Sequence, residues 1–175
     1  MNHSISILFP LTKSTLKENK NASVAGPLMC WDFFMESHYR RMQQAECLNE
    51  VQEFAHHNNW RIDWDLPQLL LKEERIVLVT DTAQIIQFAT TNMIGMNGYT
   101  ANEVIGKQPK MFQGEDTDPE TRREIREAII RRLPFKGSIV NYRKDGTPYH
   151  CLVEEYPVWN RSGQLTHFVA FEKIA

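Results

Sequence analysis

The chain has 175 residues, of which 42% are hydrophobic and 24% charged, and its formal net charge is -2. That length holds one domain of ordinary size with an appendage and excludes two full-sized domains, and the apolar fraction excludes a chain too polar to build a core. With 20 basic against 22 acidic side chains, no overall field draws a nucleic acid or an anionic membrane as principal partner.

Residues 1–27 collect Ser4, Ser6, Thr12, Ser14, Thr15, Asn19, Asn21, Ser23, Gly26 and Pro27 with little periodicity, which predicts a flexible tail. The apolar run Ile5 to Leu11 is broken by Ser6 and Pro10 and is too short for a signal segment or a membrane span. Residues 28–73 are expected to form an N-terminal helix and a connector. From Trp31 to about His57 there is no Gly or Pro, and Phe34, Met35, His38, Met42, Ala45, Leu48, Val51 and Phe54 recur mostly three and four apart. That spacing predicts one amphipathic helix with Asp32 as its cap. Asn58 and Asn59 end it, and Trp60 to Pro67 reads as connector.

Residues 74–175 carry denser signals. Ile76 to Thr80 and Ile85 to Phe88 are β-branched runs around Asp81 to Gln84, which predicts a hairpin. Thr100 and Glu103 have capping-box spacing, with Gly106 placed to stop that short helix. Asp118 followed by Pro119 opens a longer helix whose Ile125, Ala128, Ile129 and Leu133 share a face before Pro134. Three strands follow, about Lys136 to Arg143, Tyr149 to Trp159 and Leu165 to Lys173, joined by Lys144-Asp145-Gly146-Thr147 and Asn160-Arg161-Ser162-Gly163. Two strands, a helical insert and a three-strand meander predict an α+β domain on a five-stranded antiparallel sheet.

Gly98-Tyr99-Thr100-Ala101-Asn102-Glu103-Val104-Ile105-Gly106, followed by Asn141-Tyr142-Arg143-Lys144-Asp145-Gly146, resembles the two signature motifs of PAS domains. Within that superfamily, Gly106-Lys107-Gln108-Pro109-Lys110-Met111-Phe112-Gln113-Gly114 and the segment from Thr117 to Ile129 are similar to the blue-light-sensing LOV subgroup. The resemblance implies a pocket at Gln108, Gln113, Asn141, Cys151 and Glu172, the positions where that subgroup holds flavin. The flavin-attacking cysteine falls at Pro109, so adduct chemistry is excluded because proline has no thiolate. One of the subgroup's two strand asparagines is kept as Asn141, whereas the other falls at Cys151. Its last-strand glutamine falls at Glu172, and an anionic carboxylate cannot donate where an amide could. The expectation is no cofactor, with FMN or FAD as the alternative.

Other constellations have plainer readings. Heme would need an axial ligand, and no histidine lies between Asp81 and Phe135. His56 and His57 point about 100° apart on a helix and suit its C-terminal end rather than one metal. Arg122, Arg123, Arg126, Arg131 and Arg132 interleave with Glu120, Glu124 and Glu127, which predicts local pairing on a solvated face rather than a nucleic-acid site. Cys30, Cys47 and Cys151 are odd in number and widely spaced, which suits a reducing cytoplasmic setting. Strand alternation puts Glu155 on the face of Cys151 and so near Glu172, but no third group completes an acid/base site.

The predicted function is a non-enzymatic PAS sensory and protein-interaction module that signals in trans, with a LOV-like flavin redox protein as the alternative. Alternation leaves Val140, Tyr142, Leu152, Tyr156, Val158, Val169 and Phe171 on the other sheet face. The N-terminal helix is expected to cover them through Phe34, Met42, Leu48, Val51 and Phe54, in a homodimer by preference. An unknown signalling protein and a small-molecule ligand are the further expected partners, without nucleic acid or membrane.

Overall fold

The computed structural model describes residues 27–175; the expected tail lies outside them except for Pro27, which opens the first helix. The elements run α1 (Pro27–His57), a π-helical turn (Gln68–Lys72), β1 (Ile76–Asp81), β2 (Ile86–Ala89), α2 (Met93–Asn97), α3 (Ala101–Val104), a 3-10 turn (Pro109–Phe112), α4 (Pro119–Arg131), β3 (Phe135–Tyr142), β4 (Pro148–Trp159) and β5 (Leu165–Ile174). The strands form one sheet in the order β2-β1-β5-β4-β3 with every neighbouring pair antiparallel. The predicted α+β architecture is the observed one.

Local chemistry sets each junction. The Asp81 carboxylate accepts from the Ala83 and Ile85 amides, both at 2.9 Å, and so shapes the β1–β2 turn in which Gln84 takes φ 63°. Thr100 and Glu103 form the expected capping box of α3. Asp118 caps α4 by accepting from the Thr121 amide at 2.8 Å. Arg132 then turns left-handed, so α4 ends before Leu133, which is 52% exposed instead of sharing the buried face. The short helix α2, closed by Gly98 at φ 78°, has no counterpart in the sequence reading.

Both faces of the sheet are covered, which explains why β1 reads as an unbroken apolar run rather than an alternating one. On the inner face the helical insert meets Ile76, Leu78, Ile139, Val153 and Ala170 through Met93, Val104 and Phe112. On the outer face Val77, Val79, Val158, Val169 and Phe171 lie under Val51, Ala55, Trp60, Leu66 and Leu70, with Leu48 and Phe54 packed at the margin.

Two corrections concern that cover. The connector is part of it: Trp60 donates to His167 Nδ1 at 3.1 Å, and Trp64 stands edge-on to Phe171 with ring centroids 5.2 Å apart. Only the second half of α1 docks. A helix of 31 residues is about 46 Å long by its rise per residue and outruns the sheet it lies on. Docking starts near Gln44, which donates to Glu74 at 2.9 Å, and Cys47, whose sulfur lies 3.5 Å from the Thr91 hydroxyl. Phe34 and Met42 are exposed rather than packed on the sheet, and Asp32 sits inside the helix instead of capping it. Val140, Tyr142 and Leu152 are half-buried and do not belong to the outer core under α1.

Candidate functional site

Between the inner sheet face and the insert lies a cavity of about 70 Å³. Strand alternation supplies its polar wall, because Asn141 on β3, Glu155 on β4, and Glu172 on β5 all point inward. Gln113, following the 3-10 turn, and Pro109 at its start close one side, and Ile125 and Ile129 of α4 form the roof. Thr80 of β1 and Gln84 of the hairpin turn complete the lining. A wider depression of about 800 Å³ beside Glu50, Phe54, His57 and Phe88 is open to solvent.

Of the five residues read from the sequence, Gln113, Asn141 and Glu172 line this cavity. Cys151 is fully buried beneath it, with its sulfur 3.5 Å from Glu172 Oε2. Gln108 does not reach the cavity: it is the extended residue before the 3-10 turn, and Pro109 takes the position facing inward. Thr80 and Gln84 were missed, although the alternation of Thr80 with Leu78 is a signal for the first. Among the described residues Thr80 Oγ1 and Gln84 Nε2 have no hydrogen-bond partner.

The electrostatics are dominated by two carboxylates without a counter-charge. Glu155 pairs in register with Ala170, and Glu172 with Val153, so the two acids are diagonal neighbours on one face. Burial pushes Glu172 up to about 7. Burial and the Glu172 charge push Glu155 to about 7 as well. The Cys151 thiol is driven far above its ordinary value by burial and by Glu172 beside it, so it is a poor nucleophile. Glu154, turned to the other face and paired, behaves oppositely: Lys136, Tyr156 and Arg75 hold it down near 2.

The PAS domain family profile matches residues 74–173. This chain belongs to the PAS domain family. It is similar to the protein TWIN LOV 1 of Arabidopsis thaliana, with 41% identity over 88 residues, 50% of this chain and 22% of that protein. It is also similar to a blue-light-activated histidine kinase of Brucella canis, with 38% identity over 85 residues, 49% of this chain and 17% of that one. Among solved structures, the LOV domain of the Erythrobacter litoralis blue-light activated histidine kinase superposes with a TM-score of 0.54 at 23% identity, covering 57% of this chain and 94% of that one, a likeness of fold. The chain spans less than a quarter of these two curated relatives' lengths.

Flavin, the group that the LOV resemblance implies, does not fit this PAS domain as it stands. Cofactor pockets run from about 300 Å³ upward, against the 70 Å³ found here. Glu172 also stands where the LOV subgroup carries a glutamine, and a carboxylate cannot donate as that amide does. The remaining alternatives are narrower. Among the described residues no cluster of His, Cys, Asp and Glu could hold a metal ion, and no helix is long and apolar enough to cross a membrane. Glu120 pairs with Arg123, and Arg123 lies 3.6 Å from Glu127, so the pairing expected on α4 is present.

Proposed function

We propose that this PAS domain is a non-enzymatic sensory and protein-interaction module, working in the cytoplasm without flavin, that reports the state of its cavity in trans through α1. One observation carries the reading. The same sheet bears the cavity on its inner face and α1 on its outer face, and the first half of α1 extends beyond the sheet with apolar side chains in solvent. Trp31 is 62% exposed and Phe33 76%, and Phe34, Met35, Tyr39 and Met42 are exposed with them. An apolar stretch of this breadth suits burial against a second copy across a two-fold axis, with a signalling protein as the further partner. A cavity event that shifts β5 is felt by α1 directly, since Phe171 lies beside the inward-pointing Glu172 and beneath the α1 cover. The free, buried thiols of Cys47 and Cys151 support a reducing compartment.

The test is the solution mass of the full chain and of a chain lacking residues 1–42 across a dilution series. The reading expects a dimer that becomes a folded monomer on truncation; an unchanged mass overturns it. The second reading, a LOV-like flavin redox protein, draws on Gln113 and Asn141 at the cavity wall, and visible absorption of the freshly purified chain decides it.

A further inference from the structure

Glu155 and Glu172 face one small cavity, and nothing in its lining neutralises them. The lining contains no Lys, Arg or His. The titratable groups that face the pair are Cys151, beneath the floor, and Tyr149 on the same strand, and both are held neutral by burial. His167 is on the outer face with Trp60, and the charged side chains of α4 are turned away from the cavity. A second observation points the same way. Thr80 is only 3% exposed, lines the cavity and has no hydrogen-bond partner among the described residues, and Gln84 Nε2 is equally unpartnered. Buried polar groups in folded proteins are satisfied as a rule, so the unpartnered Thr80 hydroxyl, which can accept as well as donate, facing the same space as two carboxylates implies an occupant.

Size and hydration narrow the occupant. The cavity has the volume of about two water molecules, or of a planar cation of roughly four heavy atoms. Water could satisfy Thr80 and Gln84 but would leave two carboxylates in one buried space, where one of them must stay protonated. A metal ion would need more ligating groups than converge here. The opposite wall is apolar, built from residues such as Phe112 and Ile129, which disfavours a strongly hydrated ion and accepts the weakly hydrated faces of a guanidinium. Glu172, 7% exposed, forms the floor and the half-buried Glu155 the mouth. Diagonal neighbours on adjacent antiparallel strands sit roughly 7 to 8 Å apart at the backbone, so both acids can reach one planar donor in the space they face.

We propose that the cavity is a binding site for a small guanidinium-type cation, held between Glu155 and Glu172 with Thr80 facing it. The cation replaces a proton held by one of the two acids, so binding releases up to one proton and tightens as pH rises from about 6 to 8. This names the ligand class for the sensory reading and rests on it only for biological use. Binding is measured without any partner, so a failed titration leaves the interaction-module reading intact.

The experiment titrates the full chain with guanidinium chloride up to roughly 10 mM, far below denaturing concentrations. Readouts are calorimetry in two buffers of different ionisation enthalpy and the carbon-13 shifts of the glutamate carboxyls. Sodium chloride controls for ionic strength, and urea is the uncharged isostere. The expected result is saturable binding with proton release, a carboxyl shift at two glutamates, no response to urea, and affinity lowered at least tenfold in Glu172→Gln and in Glu155→Gln. No saturable response, an equal response to urea, or full affinity in both variants overturns the proposal. Should a variant fail to fold, the contrast between guanidinium and urea and the carboxyl shifts of the parent chain still decide.

Discussion

Glu172 illustrates how one residue can be read three ways at once. Its side chain is acidic, its strand position turns it inward, and its only hydrogen-bonding neighbour among the described residues is the Cys151 thiol. A carboxyl whose folded pKa is raised from 4.5 to about 7 keeps its proton in the folded state after the unfolded chain has lost it. Stability from this group is therefore full below about pH 4.5 and declines as pH rises through 7, with Glu155 contributing in the same sense. Glu172→Gln should flatten that decline and raise stability at pH 8 by about 1 to 3 kcal/mol, with little change at pH 4. Urea unfolding at the two pH values checks it. A second prediction belongs to Pro109. Blue light should produce no reversible bleaching of the chain, even after incubation with FMN, because proline offers no sulfur and the Cys151 thiol is buried and protonated. Absorption spectra before, during and after illumination test this.

The elements divide by how they are anchored. The second half of α1 belongs to the fold: Val51 is 1% exposed in the outer core. Val51→Ala should cost about 2 kcal/mol of unfolding free energy through lost burial and a residual cavity. Met42→Ala, two and a half turns earlier, should cost well under 1 kcal/mol because its side chain is in solvent. Equal losses at both positions, measured by denaturant unfolding, would mean that α1 docks along its whole length. The β3 edge is closed differently. Thr117 donates to the Val140 carbonyl at 2.7 Å and accepts from the Gly114 amide at 2.9 Å, so a loop covers the open strand. Gly114 is required there because a Cβ would lie 2.4 Å from the Tyr142 ring.

At the scale of the whole molecule, the sheet separates two surfaces that must both be covered. Deleting residues 1–57 strips Val51 and Ala55 from Val77, Val79 and Phe171, whereas deleting residues 1–42 leaves that cover in place. The longer deletion should therefore aggregate at concentrations where the shorter one stays in solution, as light scattering of the two proteins will show. Comparable solubility would place the outer core's cover in the connector alone, through Trp60, Leu66 and Leu70.

The sequence by itself determined the order of the five strands, the hairpin, the capping box, and the inward register of Asn141, Cys151 and Glu172. Each of these is local, fixed by alternation, by a turn residue or by the chemistry of one side chain. Only the tertiary structure decided where α1 stops touching the sheet, since helical periodicity repeats identically on docked and undocked turns. It also decided that the connector is core. Trp60 and Trp64 read as polar linker from their charged neighbours, and their role depends on strands a hundred residues away in the chain. The cavity's character lay between these limits. Glu155 and Glu172 were legible as inward acids, but their lack of any counter-charge, and the convergence of Thr80 and Gln84 upon them, comes from packing β1, β4, β5 and the insert around one small space.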